Sequence, residues 1–102
     1  MNYKETRIYE ILVPACDNNG QIFPMPHHWE WDRKVQEIAG GLTLLDSVKG
    51  KYLNRSAERM IPVRIAATYS EMSEIVEFTI DHYQQDAILF YLVSERAIIA
   101  TK

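Results

Sequence analysis

The sequence predicts an α+β sandwich, and three observations carry that expectation. The stretch Glu58–Ala67 alternates cleanly, with Ile61, Val63, Ile65 and Ala67 on one face and Met60, Pro62, Arg64 and Ala66 on the other, as a strand covered on one side does. Two other segments, beginning near His27 and Thr68, instead repeat their apolar residues at helical spacing. The 102 residues, 47% hydrophobic and 25% charged, suit one globular unit and are far from the composition of a disordered chain. Residues 1–102 are therefore read as a single domain.

Arg7–Val13 is rich in branched and aromatic side chains and is closed by Pro14, which predicts a first strand. Asp17-Asn18-Asn19-Gly20 follows as turn chemistry, since these residues tolerate left-handed backbone and bond their own main chain. Across His27–Ala39 the apolar positions Trp31, Val35, Ile38 and Ala39 form a helical stripe, and Gly40-Gly41 can take the left-handed conformation that ends a helix. Leu42–Val48 reads as a second strand, bent where Lys49-Gly50-Lys51 interrupts it. After a turn at Asn54–Ala57 comes the alternating third strand. Thr68 and Glu71 have the spacing of a capping box, and Met72, Ile75, Val76, Thr79 and Tyr83 make the stripe of a second helix.

Ala87–Val93 is an apolar run too short for a separate core helix, so it reads as a buried fourth strand. Ser94-Glu95-Arg96 is expected to turn the chain back into Ala97–Thr101, a fifth strand at an edge. The order strand, helix, strand, strand, helix, strand is the split β-α-β pattern of a ferredoxin-like sandwich, an antiparallel sheet with both helices on one face. In that topology the third strand is central, and Pro62 removes a donor from it; a bulge, or a short second strand that leaves the proline unpaired, is expected there.

A net charge of −3 gives no reason for sequence-independent attraction to a phosphate backbone, so nucleic acid is not an expected partner. The longest apolar stretch is far shorter than the roughly 20 residues of a membrane-spanning helix. Met1-Asn2-Tyr3-Lys4-Glu5 lacks the apolar core of a signal peptide, and a lone cysteine, Cys16, allows no internal disulfide. A cytoplasmic protein with no membrane partner is expected.

Two helices cover one face of a sheet, yet apolar residues fall on both. The first strand sets Ile8 and Leu12 against Tyr9, Ile11 and Val13, and the fourth sets Ile88, Phe90 and Leu92 against Leu89, Tyr91 and Val93. Burying each such side chain is worth about 1.5–3 kcal/mol, and large exposed apolar patches are unusual on monomers. The expectation is a homo-oligomer, dimer or trimer, whose helix-free faces pack together. Arg64 is the odd residue on that face, and burial there demands a carboxylate or an anionic ligand. Glu58 on its own strand and Asp46 on the neighbouring one are the carboxylates within reach by sequence; an ion pair and a ligand contact both stay open.

Cys16, His27, His28 and His82 lack the spacing of a metal site, and no metal or cofactor is expected. Nothing in the sequence supplies a base to activate Cys16, and Trp29 and Trp31 read as packing residues. Lys49-Gly50-Lys51 is no Walker motif. With Asp46, Tyr52, Glu58 and Arg64 it is nevertheless the densest polar cluster near a predicted sheet edge, and it marks where a ligand site would lie, with Arg64, Lys49, Lys51 and Asp46 as binding residues. A partly desolvated carboxylate such as Glu58 is suited to proton transfer, and Tyr52 beside it to polarising a leaving group.

Gly40-Gly41-Leu42-Thr43, then Gly50, Glu58-Arg59-Met60-Ile61-Pro62-Val63-Arg64 and Gln85-Asp86-Ala87-Ile88, together resemble a family of small uncharacterised bacterial and phage proteins, to which no activity is attached. Tyr52 after the glycine, Glu58 opening the strand that carries Arg64, and Gln85-Asp86-Ala87-Ile88-Leu89-Phe90-Tyr91 are more distantly similar to bacteriophage S-adenosylmethionine lyases. That resemblance implies a trimer with sites between subunits and places Tyr52 and Glu58 in a catalytic site releasing methylthioadenosine. The element order also looks like that of PII-type signalling proteins, trimers that bind nucleotides in clefts between subunits, although Asn54–Ala57 is too short for their long nucleotide-contacting loop. The reading from sequence is a homo-oligomeric ferredoxin-like module with a nucleotide- or adenosyl-type ligand between subunits. A lyase and a purely structural assembly subunit are its alternatives.

Overall fold

The computed structural model describes residues 1–41, 43–44, 48–50 and 58–102. Its elements are β1 (Asn2–Pro14), α1 (Met25–Ala39), β2 (Thr43–Leu44), β3 (Val48–Gly50), β4 (Glu58–Ala67), α2 (Tyr69–His82) and β5 (Phe90–Thr101). The strands form an antiparallel sheet in the order β2-β4-β1-β5, with β3 also pairing β4. This is the ferredoxin-like sandwich that the sequence predicts, with the second strand divided into β2 and β3.

Against β1 the register runs unbroken through Leu12↔Pro62, with no bulge in that pairing. On the opposite side β2 pairs as far as Leu44↔Val63 and β3 from Val48↔Met60. The expected short second strand beside the proline falls on residues 45–47, which lie outside the described residues.

Alternation along β1 and β4 sends Tyr9, Ile11, Val13, Val63, Ile65 and Ala67 under the helices, where Trp31, Val35, Ala39, Met72, Ile75 and Tyr83 close the core. The indole of Trp31 is fully buried, and its Nε1–H donates to Thr79 Oγ1 at 2.8 Å. Thr79 passes its own proton to the Ile75 carbonyl at 2.6 Å, so both buried polar groups are satisfied. The capping box forms as predicted: the Glu71 amide donates to Thr68 Oγ1 at 3.2 Å and the Thr68 amide to Glu71 Oε1 at 2.8 Å. Lys4 reaches Glu71 from β1 at 2.9 Å. Burial alone would raise the Glu71 carboxyl; the bonds from Lys4 and Thr68 outweigh it and hold the group below the usual carboxylate range.

The C-terminal segment corrects the sequence reading. Ser94-Glu95-Arg96 does not reverse the chain; Phe90–Thr101 is one continuous strand paired to β1, and Ala87–Leu89 precede it outside regular structure. The register against β1 slips twice, between Tyr9↔Leu92 and Ile8↔Ser94 and between Ile8↔Ser94 and Thr6↔Ala97. The polar residues are thus absorbed as bulges, with Ser94 Oγ donating to the Arg96 carbonyl at 2.9 Å, because β1 is long enough to keep supplying a partner. Ala97–Thr101 continues that strand along Asn2–Thr6, beyond Arg7 where the β4 pairing ends, and the two form a ribbon past the helix-covered body.

Gly40 ends α1 at φ 90°, its amide bonded to the Gln36 carbonyl at 2.9 Å, and a Cβ there would meet nothing. The cost of Gly40→Ala is therefore one of backbone conformation alone, and a loss of about 1 kcal/mol in urea unfolding is expected. An unchanged midpoint would show that the left-handed cap is not needed.

Candidate functional site

The face without helices is built by the other half of the same alternation. It presents Ile8, Glu10 and Leu12 from β1, Met60, Pro62, Arg64 and Ala66 from β4, and Tyr91 from β5. Ile8, Leu12, Met60 and Ala66 are half-buried there, so the face is mainly apolar. At its centre, Glu10 lies directly opposite Arg64 on one neighbouring strand and Tyr91 on the other. Arg64 Nε donates to Glu10 Oε1 at 3.1 Å, and the Tyr91 hydroxyl donates to Oε2. Glu10 is only 7% exposed, whereas the Arg64 side chain is half-exposed. A shielded carboxylate thus grips the arginine by Nε, and no described residue bonds the two terminal nitrogens. A guanidinium held in this way offers a planar pair of donors to an oxyanion or a carbonyl.

Of the residues singled out from sequence, Arg64 lies on this face as expected. Its described partner is Glu10, the cross-strand neighbour on β1, which the sequence reading did not name. Lys49 is on β3 opposite Arg59, and Glu58 opens β4 opposite Gly50. Six positions separate Glu58 from Arg64, roughly 20 Å along an extended strand, so β4 holds them apart and does not bring them together. Asp46, Lys51 and Tyr52 lie outside the described residues. Sequence reasoning passed over Glu10 and Tyr91. The available signal was Glu10 itself, a charge inside an apolar strand at a position sharing the parity of Ile8 and Leu12.

The histidines, unrelated by spacing, do meet in space at one end of the helix layer. No group of ligating side chains among the described residues could hold a metal ion. Cys16 is half-buried and free, in a short bridge with Ile22. No described helix is long and apolar enough to cross a membrane.

No family model and no curated protein matches the sequence. Solved structures do match by fold. A phage S-adenosylmethionine lyase in complex with S-methyl-5'-thioadenosine aligns over 94% of this chain and 90% of its own, with a TM-score of 0.66 and 8% identity. CPII from Thiomonas intermedia K12, a nitrogen regulatory PII-like protein bound to ADP, AMP and bicarbonate, aligns over 99% of both chains with a TM-score of 0.57 and 13% identity. At these identities the likeness is one of fold, and it spans the whole sandwich, including the sheet order that creates the bare face.

Removing Arg64 leaves a shielded carboxylate with Tyr91 alone. A cycle of Arg64→Met, Glu10→Gln and the double variant, followed by urea unfolding, is expected to give a coupling of about 1–2 kcal/mol. Additive single effects would show the pair to be incidental.

Proposed function

We propose that the chain is a homo-oligomeric ferredoxin-like module that binds a small nucleotide- or adenosyl-type ligand between subunits, on the helix-free face of the sheet. The observation that carries this reading is the composition of that face: a half-buried apolar floor around a guanidinium held at Nε by Glu10, with no described residue bonded to its terminal nitrogens. The apolar floor calls for a cover, and a second copy meets it with the same surface. Arg64 then faces the boundary between copies and contacts the polar part of the ligand, with Lys51 and Asp46 as the other binding residues; Lys49, opposite Arg59, has the parity of the helix-covered face and is set aside. Two neighbours sharing the fold over nearly the whole chain carry adenine-containing ligands, which supports the ligand class. The module is proposed to act as a single domain in the cytoplasm.

A second reading is favoured by the lyase neighbour: the chain cleaves S-adenosylmethionine to methylthioadenosine, with Glu58 and Tyr52 orienting the substrate and polarising its reacting portion.

Light scattering during size exclusion is expected to report a dimer or trimer at micromolar concentration. AMP, ADP, methylthioadenosine and S-adenosylmethionine, each in large excess, are expected to include at least one that raises the melting temperature, since binding at a hundredfold excess over Kd adds about 2.7 kcal/mol. Arg64→Met should abolish that rise. A monomer removes the intersubunit site, and an oligomer stabilised by none of the four is the purely structural subunit. Methylthioadenosine released by the wild type but not by Glu58→Gln would select the lyase.

A further inference from the structure

The chain has three histidines, and all of them meet where the first turn of α1 touches the last turn of α2. His27 Nε2 lies 2.8 Å from the His82 carbonyl, and His82 Nε2 lies 2.7 Å from the His27 carbonyl. A carbonyl only accepts, so both rings carry their proton on Nε2 and donate it across the gap. The two imidazoles stack with centroids 3.9 Å apart and planes 15° from parallel. Phe23 stacks on His27 at 4.9 Å and Phe78 on His82 at 5.1 Å, making a column of four rings. His28 Nδ1 is 2.6 Å from the hydroxyl of buried Tyr83. Burial first, and Asp32 second, push the Tyr83 phenol well above its ordinary range, so it stays protonated and donates to His28.

The reciprocal bonds serve the helix ends. The His82 carbonyl belongs to the last turn of α2, whose carbonyls lack intrahelical partners, and His27 supplies one from the other helix. The acidic residues nearby are Asp32 on α1, one turn past His28, Glu30 two positions past it, Asp81, which precedes His82 on α2, and Asp17 from the loop lining the adjoining cleft; His82 itself sits in the last turn of α2, where the helix dipole favours a cation. No ion pair among the described residues includes a histidine. His27 and His28 also occupy the N-terminal turn of α1, where the helix dipole opposes a cation.

We propose that the three histidines form an acid-sensitive clasp, which at neutral pH holds the N-terminal end of α1 to the C-terminal end of α2 and which opens when His28, beside the stacked pair, takes up a proton in mildly acidic solution. Protonation of His28 sets a cation beside the stacked pair and turns the acceptor facing Tyr83 into a donor. Burial and then the charge of His27 hold the His28 imidazole below its ordinary value of 6.5, with Asp32 opposing and His82 adding. The unfolded chain therefore binds the His28 proton more tightly than the folded one, and stability that is complete above pH 6.5 falls as the pH drops below it. Opening acts on the cleft of about 360 Å³ walled by Phe23, His27, His82 and Tyr83 and roofed by the loop in which Asn18 Nδ2 donates to the Gln84 carbonyl at 3.3 Å.

The test compares the wild type with the His28→Gln variant, which leaves the stacked pair and its carbonyl bonds intact. Between pH 7.5 and 5.5 the wild-type melting temperature is expected to fall by about 5 °C, and the variant's by less than half as much. Hydrogen exchange at pH 5.5, corrected for intrinsic rate, is expected to run about tenfold faster around residues 80–85 of the wild type than at pH 7.5, with the sheet unchanged. Equal pH dependence in both proteins, or unchanged protection at residues 80–85, overturns the clasp. Should His28→Gln not fold, the exchange measurement on the wild type decides alone.

Discussion

The sheet has two faces and the chain has helices for one. Because side chains alternate along a strand, β1 and β4 cannot send apolar residues under the helices without sending as many the other way. Val63, Ile65 and Ala67 reach full burial only because Met60, Pro62, Arg64 and Ala66 take the opposite side. What differs between the faces is completeness: the covered one has Trp31, Val35, Met72 and Ile75 laid over it, and the bare one has only its own side chains to shelter it.

Glu10 shows how the bare face is kept in order. A carboxylate this shielded is tolerable only with partners on both sides, and it has them because β1 lies between β4 and β5 in a fixed register. A one-residue slip of β1 would drive Glu10 into the core and expose Ile11. The Arg64–Glu10–Tyr91 trio therefore specifies pairing at least as much as it stabilises, since an apolar set of the same shape would hold the strands together without choosing the alignment. It also holds the Arg64 guanidinium by its Nε.

How much of this was legible in the sequence depended on the range of the signal. β4 was readable to its ends, and so were the Thr68–Glu71 box and the Gly40 stop, because each is written in residues a few positions apart. The continuity of β5 was not, since Ser94-Glu95-Arg96 looks like a turn until a long β1 is there to absorb two bulges. Contacts across the fold were the least legible. Arg64 and Glu10 are 54 residues apart, and His27 and His82 are 55 apart. Alternation says which face a residue occupies; only topology says which residue stands across from it. That is why Glu10 was not among the carboxylates named for the arginine.

The helix end and the bare face are joined by α1, and the way that helix is held decides what passes between them. Its N-terminal turn carries His27 and His28, while Gly40 at its other end leads toward Thr43, the residue paired with Arg64. A rigid rod loosened at one end would move at the other. Trp31 prevents this: one turn past His27 its buried indole is bonded to Thr79, and Val35 and Ala39 continue the buried stripe to the C-terminal end. Freeing the first turn leaves those contacts intact, so motion that starts at the histidines stops at Trp31. The two ends of α1 thus respond separately, one to protons and the other to whatever meets Arg64.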